Sequence, residues 1–199
     1  MVRAGTPAEV NRYSGEWVFV DLGFAEKAKS CGLLLGDGKP EEVSFSQLKA
    51  RLLAVVASDQ GPLNLLIEAP LSIAFNENGN PTGRAVEKRG SQTRYWYVGL
   101  GCSVLVSATY LLRAIYEAHS HREIRLFEGF ASFKPKGTRS SHSNDVVNLR
   151  KVIWDGDSTS GFVVSAEKLC VSPEHQLLSA FHVAGMDFGV PAVIALGSG

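Results

Sequence analysis

An alternation constrains this chain more than any other feature. Short apolar runs of strand length recur along it, separated by stretches of helical periodicity a dozen or more residues long. Parallel strands need crossovers of about that length, so the pattern implies an α/β sheet with helices on its faces. Strands are expected over residues 16–23, 30–36, 63–69 and 123–130, with a short one marked by Val43 and a last apolar run in "VPAVIAL". In "FSQLKARLLAVVAS", Phe45, Leu48, Leu52, Val55 and Val56 share one helical face. "SNDVVNLRKVIWD" is expected to be helical with Ser143 as its cap. A final helix is expected from "SPEHQLL", with Ser172 as cap and Pro173 in the first helical position, ending by Gly189.

The 199 residues, 45% hydrophobic, suffice for one core, so residues 16–199 are read as a single domain. Residues 1–15, "MVRAGTPAEVNRYSG", lack the apolar centre of a secretory signal and read as a loose arm. Lys and Arg number 20 and Asp and Glu number 20, so any attraction for nucleic acid must come from a local patch. Three widely spaced cysteines without a CxxC pair argue against a disulfide framework or a structural zinc site, and fit a reducing cytoplasm. Residues 95–112 are uncharged and long enough to raise the question of a membrane span. Tyrosines, serines and glycines dilute them, and Val98, Leu105, Ala108, Leu112 and Ile115 recur at helical spacing. A buried crossover helix running to about Ala118 is the better reading, with no membrane partner.

Two of the expected strands end in a carboxylate. Asp21 follows Val18, Phe19 and Val20, and Glu68 follows Leu65, Leu66 and Ile67 just before Ala69-Pro70. In open α/β sheets, ligands bind beyond the carboxyl ends of the strands, which is where both acids fall. If their strands are parallel neighbours the two converge, and Glu128, near the end of its own strand, can join them. Carboxylates gathered at one edge repel one another unless a cation neutralises them, and an all-oxygen donor set suits Mg2+ or Mn2+. Two such ions would activate water and stabilise the leaving oxygen in phosphodiester cleavage.

At these residues, "VFVDLGFAEKAKSCGLLL", "LLIEAPLS" and "RLFEGFASFK", the chain resembles prokaryotic predicted nucleases with a ribonuclease H-like fold. It is more distantly similar to RuvC-type resolvases. The resemblance implies a five-stranded mixed sheet with helices on both faces, its first three strands antiparallel and its fourth beside the first. It also implies a two-metal nuclease with Asp21, Glu68 and Glu128 as catalytic ligands. In that pattern a further Asp stands on the last helix. This chain offers Glu174 and His175 there instead, and either can ligate a metal.

Each acid also has a plainer explanation: Asp21 as a turn former, Glu128 as a salt-bridged strand residue, Glu174 as a partner of a helix dipole. Glu68 has the least room for one, because an unpaired charge among aliphatic residues is costly. Two basic segments are candidates for phosphate. "RAVEKRGSQTR", which overlaps a long polar loop over residues 72–92, carries Arg84 and Arg94, and "FKPKGTR" carries Lys134. Together these make nucleic acid, DNA or RNA, the expected partner. Two alternatives stay open: an actin-like or sugar-kinase-related phosphate-binding domain, since "DLG" also fits such a turn, and a noncatalytic adaptor on the ribonuclease H fold.

Overall fold

The apolar runs become the centre of a mixed sheet. The computed structural model describes residues 1–23, 29–58, 60–94, 100–131, 133, 141–156 and 161–197. In chain order these form β1 (Val2–Ala4), β2 (Glu16–Leu22), β3 (Cys31–Leu35), β4 (Glu41–Val43), α1 (Phe45–Val56), β5 (Leu63–Glu68), β6 (Ser72–Phe75) and β7 (Pro81–Thr82). There follow β8 (Lys88–Arg89), β9 (Gln92–Thr93), α2 (Leu100–Glu117), β10 (Ile124–Phe130), α3 (His142–Asp155), β11 (Gly161–Val164), β12 (Gln176–Ser179) and β13 (Val193–Leu196). The fold is α/β, and the chain is spanned by three α-helices among the described residues.

The main sheet has the order β11-β13-β10-β5-β2-β3-β4. Strands β2, β3 and β4 run antiparallel, whereas β2, β5, β10 and β13 run parallel. On its outer side, β10 pairs through Ile124, Arg125 and Leu126 with β1 and through Glu128, Gly129 and Phe130 with β13. The central strands are buried on both faces, which is why they read as nearly continuous apolar runs. On one face Val18, Val20, Leu65 and Ile67 meet Leu48, Leu52 and Val56 of α1 and Ala108, Leu112 and Ile115 of α2. On the other, Trp17, Phe19, Leu66 and Phe127 pack under Val146, Leu149 and Ile153 of α3. Trp154 closes that face edge-on, with ring centroids 5.5 Å from Phe19 and 6.4 Å from Trp17.

Local sequence fixes the helix starts. Ser44 Oγ accepts from the Gln47 amide and the Gln47 side chain accepts from the Ser44 amide, a complete capping box. Helix α3 starts two residues earlier than its sequence suggests, capped by Ser141 rather than Ser143. It ends at Gly156, whose left-handed φ of 59° suits a residue without a side chain.

Three expectations are corrected. The sheet has eight strands rather than five, because β1, β11 and β13 extend it. Residues 1–15 are not a loose arm: β1 is zipped onto β10, and Arg3 is clamped between Glu9 and Glu123. No helix opens at Ser172. Residues 172–175 form a turn, and β12 pairs antiparallel with β6, as part of a small sheet β12-β6-β7 inside what reads as a polar loop. No helix among the described residues is long and apolar enough to cross a membrane.

At the opposite end of the sheet from the strand carboxyl termini, Arg122 ties the elements together. Its guanidinium donates to the carbonyls of Val55 and Gly61, to Ser58 Oγ and to Glu16 Oε2 at 2.6 to 2.9 Å. Like Arg125, which donates to the Ser14 carbonyl and to Glu123, it serves the fold rather than a ligand.

The N-terminal clamp gives a pH test. Hydrogen bonding to Arg3 lowers the Glu9 carboxyl from an ordinary 4.5 to about 2. A lowered folded-state value means stability present above the unfolded value and lost as pH falls through the folded one. The gap in melting temperature between wild type and Glu9→Gln should therefore be constant near neutrality, narrow below about 4.5 and close by about 2.

Candidate metal centre

The register of β2 and β5 sets Asp21 directly beside Glu68, since the two are Cα partners in the parallel ladder. Side chains alternate across a strand, so Asp21 shares its face with Trp17 and Phe19 and Glu68 shares its face with Leu66. That is the α3 face. There the first turn of α3 brings down a third carboxylate, Asp145. One carboxylate oxygen from each of Asp21, Glu68 and Asp145 lies within 4.8 Å of the others. Asp21 and Asp145 are almost wholly buried, and Glu68 is half-buried.

Glycines make this approach possible. Gly32 on β3 faces Asp21 across the ladder, and a Cβ there would overlap the His142 carbonyl. Gly129, next to Glu68 on the other side, would place a Cβ 2.8 Å from Leu66 Cδ2 and 2.9 Å from Leu149 Cδ1. Reading across the sheet edge, the row is therefore Gly32, Asp21, Glu68 and Gly129. The two bare flanks let α3 settle onto the acids.

Fixed contacts orient the carboxylates. His142 Nδ1 lies 2.8 Å from Asp21 Oδ2, and this hydrogen bond raises the imidazole pKa above its ordinary value. The ring lies over Gly23, where a side chain would collide with it. Glu68 Oε1 accepts from the Ala131 amide at 3.2 Å. Asp145 sits in the first turn of α3, where the helix dipole favours negative charge. Two like charges about 4 Å apart cost ~1 kcal/mol in water and ~4 kcal/mol at the effective dielectric near a protein surface. A hard divalent cation with oxygen ligands is the counterpart such a cluster accepts.

The remaining expected residues go elsewhere. Glu128 does not join Asp21 and Glu68: it pairs with Ile67 and so points to the opposite face, fully buried. There the Arg84 guanidinium grips it from both nitrogens, at 2.7 and 2.8 Å, while the Leu71 amide donates at 2.9 Å. Arg84, expected to meet phosphate, is 1% exposed and also holds Ser72 and Glu87, so no substrate reaches it. Burial pushes the Glu87 carboxyl up, against the opposing pull of the Arg84 guanidinium. Glu174 is exposed in the turn before β12, and His175 follows it. Neither belongs to the acid cluster. Arg94 is exposed, with its amide bonded to the Glu87 carbonyl. Lys134 lies outside the described residues.

The residues that sequence reasoning missed are Asp145 and His142. Their signal was a His-x-x-Asp spacing behind a serine cap, which places both in one helical turn. Taken locally, that spacing marks only a helix start, and docking on the sheet edge is what brings it to the acids.

Separating the two faces makes a prediction. Arg84→Met strands Glu128 in the core and should cost about 3–5 kcal/mol in urea unfolding. The double variant Arg84→Met/Glu128→Leu should recover much of that loss. Because Glu128 faces away from the cluster, the double variant should show the same change in melting temperature with manganese as wild type, whatever that change is. The chain matches no known protein family, no curated protein and no solved structure.

Proposed function

We propose that this protein is a metal-dependent phosphodiesterase acting on nucleic acid, with a ribonuclease H-like core. The observation that carries the reading is the convergence of Asp21, Glu68 and Asp145, from two adjacent parallel strands and one helix, within 4.8 Å. The order β4-β3-β2-β5-β10, antiparallel for its first three strands and parallel thereafter, supports the same core, with β13, β11 and β1 as additions. Asp145 on α3 takes the role that the resemblance gives to an acid on the last helix, so Glu174 and His175 are not needed for it.

In this reading Asp21, Glu68 and Asp145 would hold Mg2+ or Mn2+, which would supply water activation and stabilisation of the leaving oxygen of the phosphodiester. The chain's own groups prepare the site. The Ala131 amide and His142 fix one oxygen each of Glu68 and Asp21, so neither carboxylate must reorganise when a cation arrives. His142 in its protonated form also offsets part of the cluster's charge, and it loses that role as pH rises through its raised pKa. Cys31, Cys102 and Cys170 form no disulfide, which suits a reducing cytoplasm.

Thermal unfolding and cleavage test the reading together. Manganese should raise the melting temperature of wild type and leave Asp145→Asn unmoved. Glu68→Gln and Asp145→Asn should each lower manganese-dependent cleavage of a mixed set of single-stranded and duplex DNA and RNA by at least ~100-fold, with far-UV circular dichroism unchanged. Cleavage undiminished in both variants would contradict the assignment. Stabilisation by a nucleotide with magnesium, but not by manganese alone, would favour the kinase-like alternative.

A further inference from the structure

Along the same carboxyl edge of the sheet, but on the face away from α3, lies a cavity of about 410 Å³. Its floor is Phe130 at the end of β10, its walls are Phe133 and Phe162, and its rim carries Lys88, Arg89 and Lys168. No acidic residue lines it among the described residues. The three cations are exposed, and Phe162 on edge strand β11 is 52% exposed, so an aromatic face is open to solvent beside positive charge. A mostly apolar hollow of this size with a few convergent polar groups is the usual form of a ligand site.

The cavity is also built rather than incidental. The Ala85 amide donates to the Leu169 carbonyl at 2.7 Å, joining the segment before Lys88 and Arg89 to the turn that carries Lys168. Arg84, one residue earlier, is anchored on Glu128, two residues before Phe130. The buried ion pair thus holds the cationic rim against the aromatic floor. Across the edge, Phe130 precedes Ala131, whose amide binds Glu68, so cavity and acid cluster flank the same strand end.

We propose that this cavity binds one unpaired nucleotide of a single-stranded nucleic acid, its base against Phe162 and Phe133 and its phosphates on Lys88, Arg89 and Lys168. The choice of ligand rests on the phosphodiesterase reading. Every base has a π-face that stacks on an aromatic ring, and a positive groove tracks the backbone. A duplex keeps those faces stacked inside and would bind more weakly here.

Fluorescence anisotropy with a fluorescein-labelled oligo(dT) strand, in EDTA so that neither metal nor cleavage contributes, tests this. Phe162→Ala should weaken binding about 5- to 150-fold, the range that loss of one stacked base carries, and Phe162→Tyr should retain it. Lys88→Ala/Arg89→Ala should lower the slope of log affinity against log salt by about 1.4, two phosphate contacts' worth. Unchanged affinity in both variants, equal affinity for a blunt duplex, or no binding of the strand by wild type would overturn the proposal. Wild-type cleavage alongside intact binding by the variants would sink the cavity assignment alone. Variant-sensitive binding without any manganese-dependent cleavage would sink the catalytic reading alone.

Discussion

Three carboxylates held within contact distance of one another are the constraint on which this structure turns. The parallel register of β2 and β5 leaves Asp21 and Glu68 no alternative to lying side by side, and the docking of α3 adds Asp145 to the pair. Carboxylates this close repel one another, and the dipole of α3 and the His142 contact with Asp21 both act against that repulsion. Glycines on both flanks extend the same logic, since Gly32 and Gly129 sacrifice packing so that the helix can reach the acids.

The sheet's carboxyl edge carries two polar systems with opposite character. On the α3 face, the carboxylates of Asp21, Glu68 and Asp145 are clustered. On the α1 and α2 face, Glu128 is matched by Arg84 with bidentate geometry and closed off from water. A buried pair of this kind contributes little net stability compared with apolar residues, but it defines where its neighbours sit. Here the neighbours are the segment of Lys88 and Arg89 and the end of β10, which frame the aromatic cavity. One strand end, at Phe130 and Ala131, therefore separates the acid cluster from the aromatic cavity.

Much of the frame was legible in the sequence. Strands β2, β3, β5 and β10 and helices α1 and α3 announce themselves through period and caps, and the strand-end positions of Asp21 and Glu68 point to their meeting. Glu128 misled because a carboxylate near a strand end reads alike whichever face it takes; one residue of register decides, and alternation turned it away from the cluster. Arg84 misled for a related reason, since a basic residue in a polar stretch looks solvated until its buried partner is known. The segment 172–179 carries a serine and a proline in the order of a helix start. Its backbone nevertheless pairs with Ser72–Phe75, a partner a hundred residues away that no local rule reveals. Asp145 went unread because its meaning comes from docking: a helix N-terminus becomes a ligand position only when a sheet edge with acids lies beneath it.

Crystals soaked in manganese and measured at its absorption edge ask most directly whether these acids share a cation. A shared ion gives anomalous density enclosed by the carboxylates of Asp21, Glu68 and Asp145. An anomalous map with no peak there at saturating manganese, or with its peak at Glu174 and His175 instead, would contradict it.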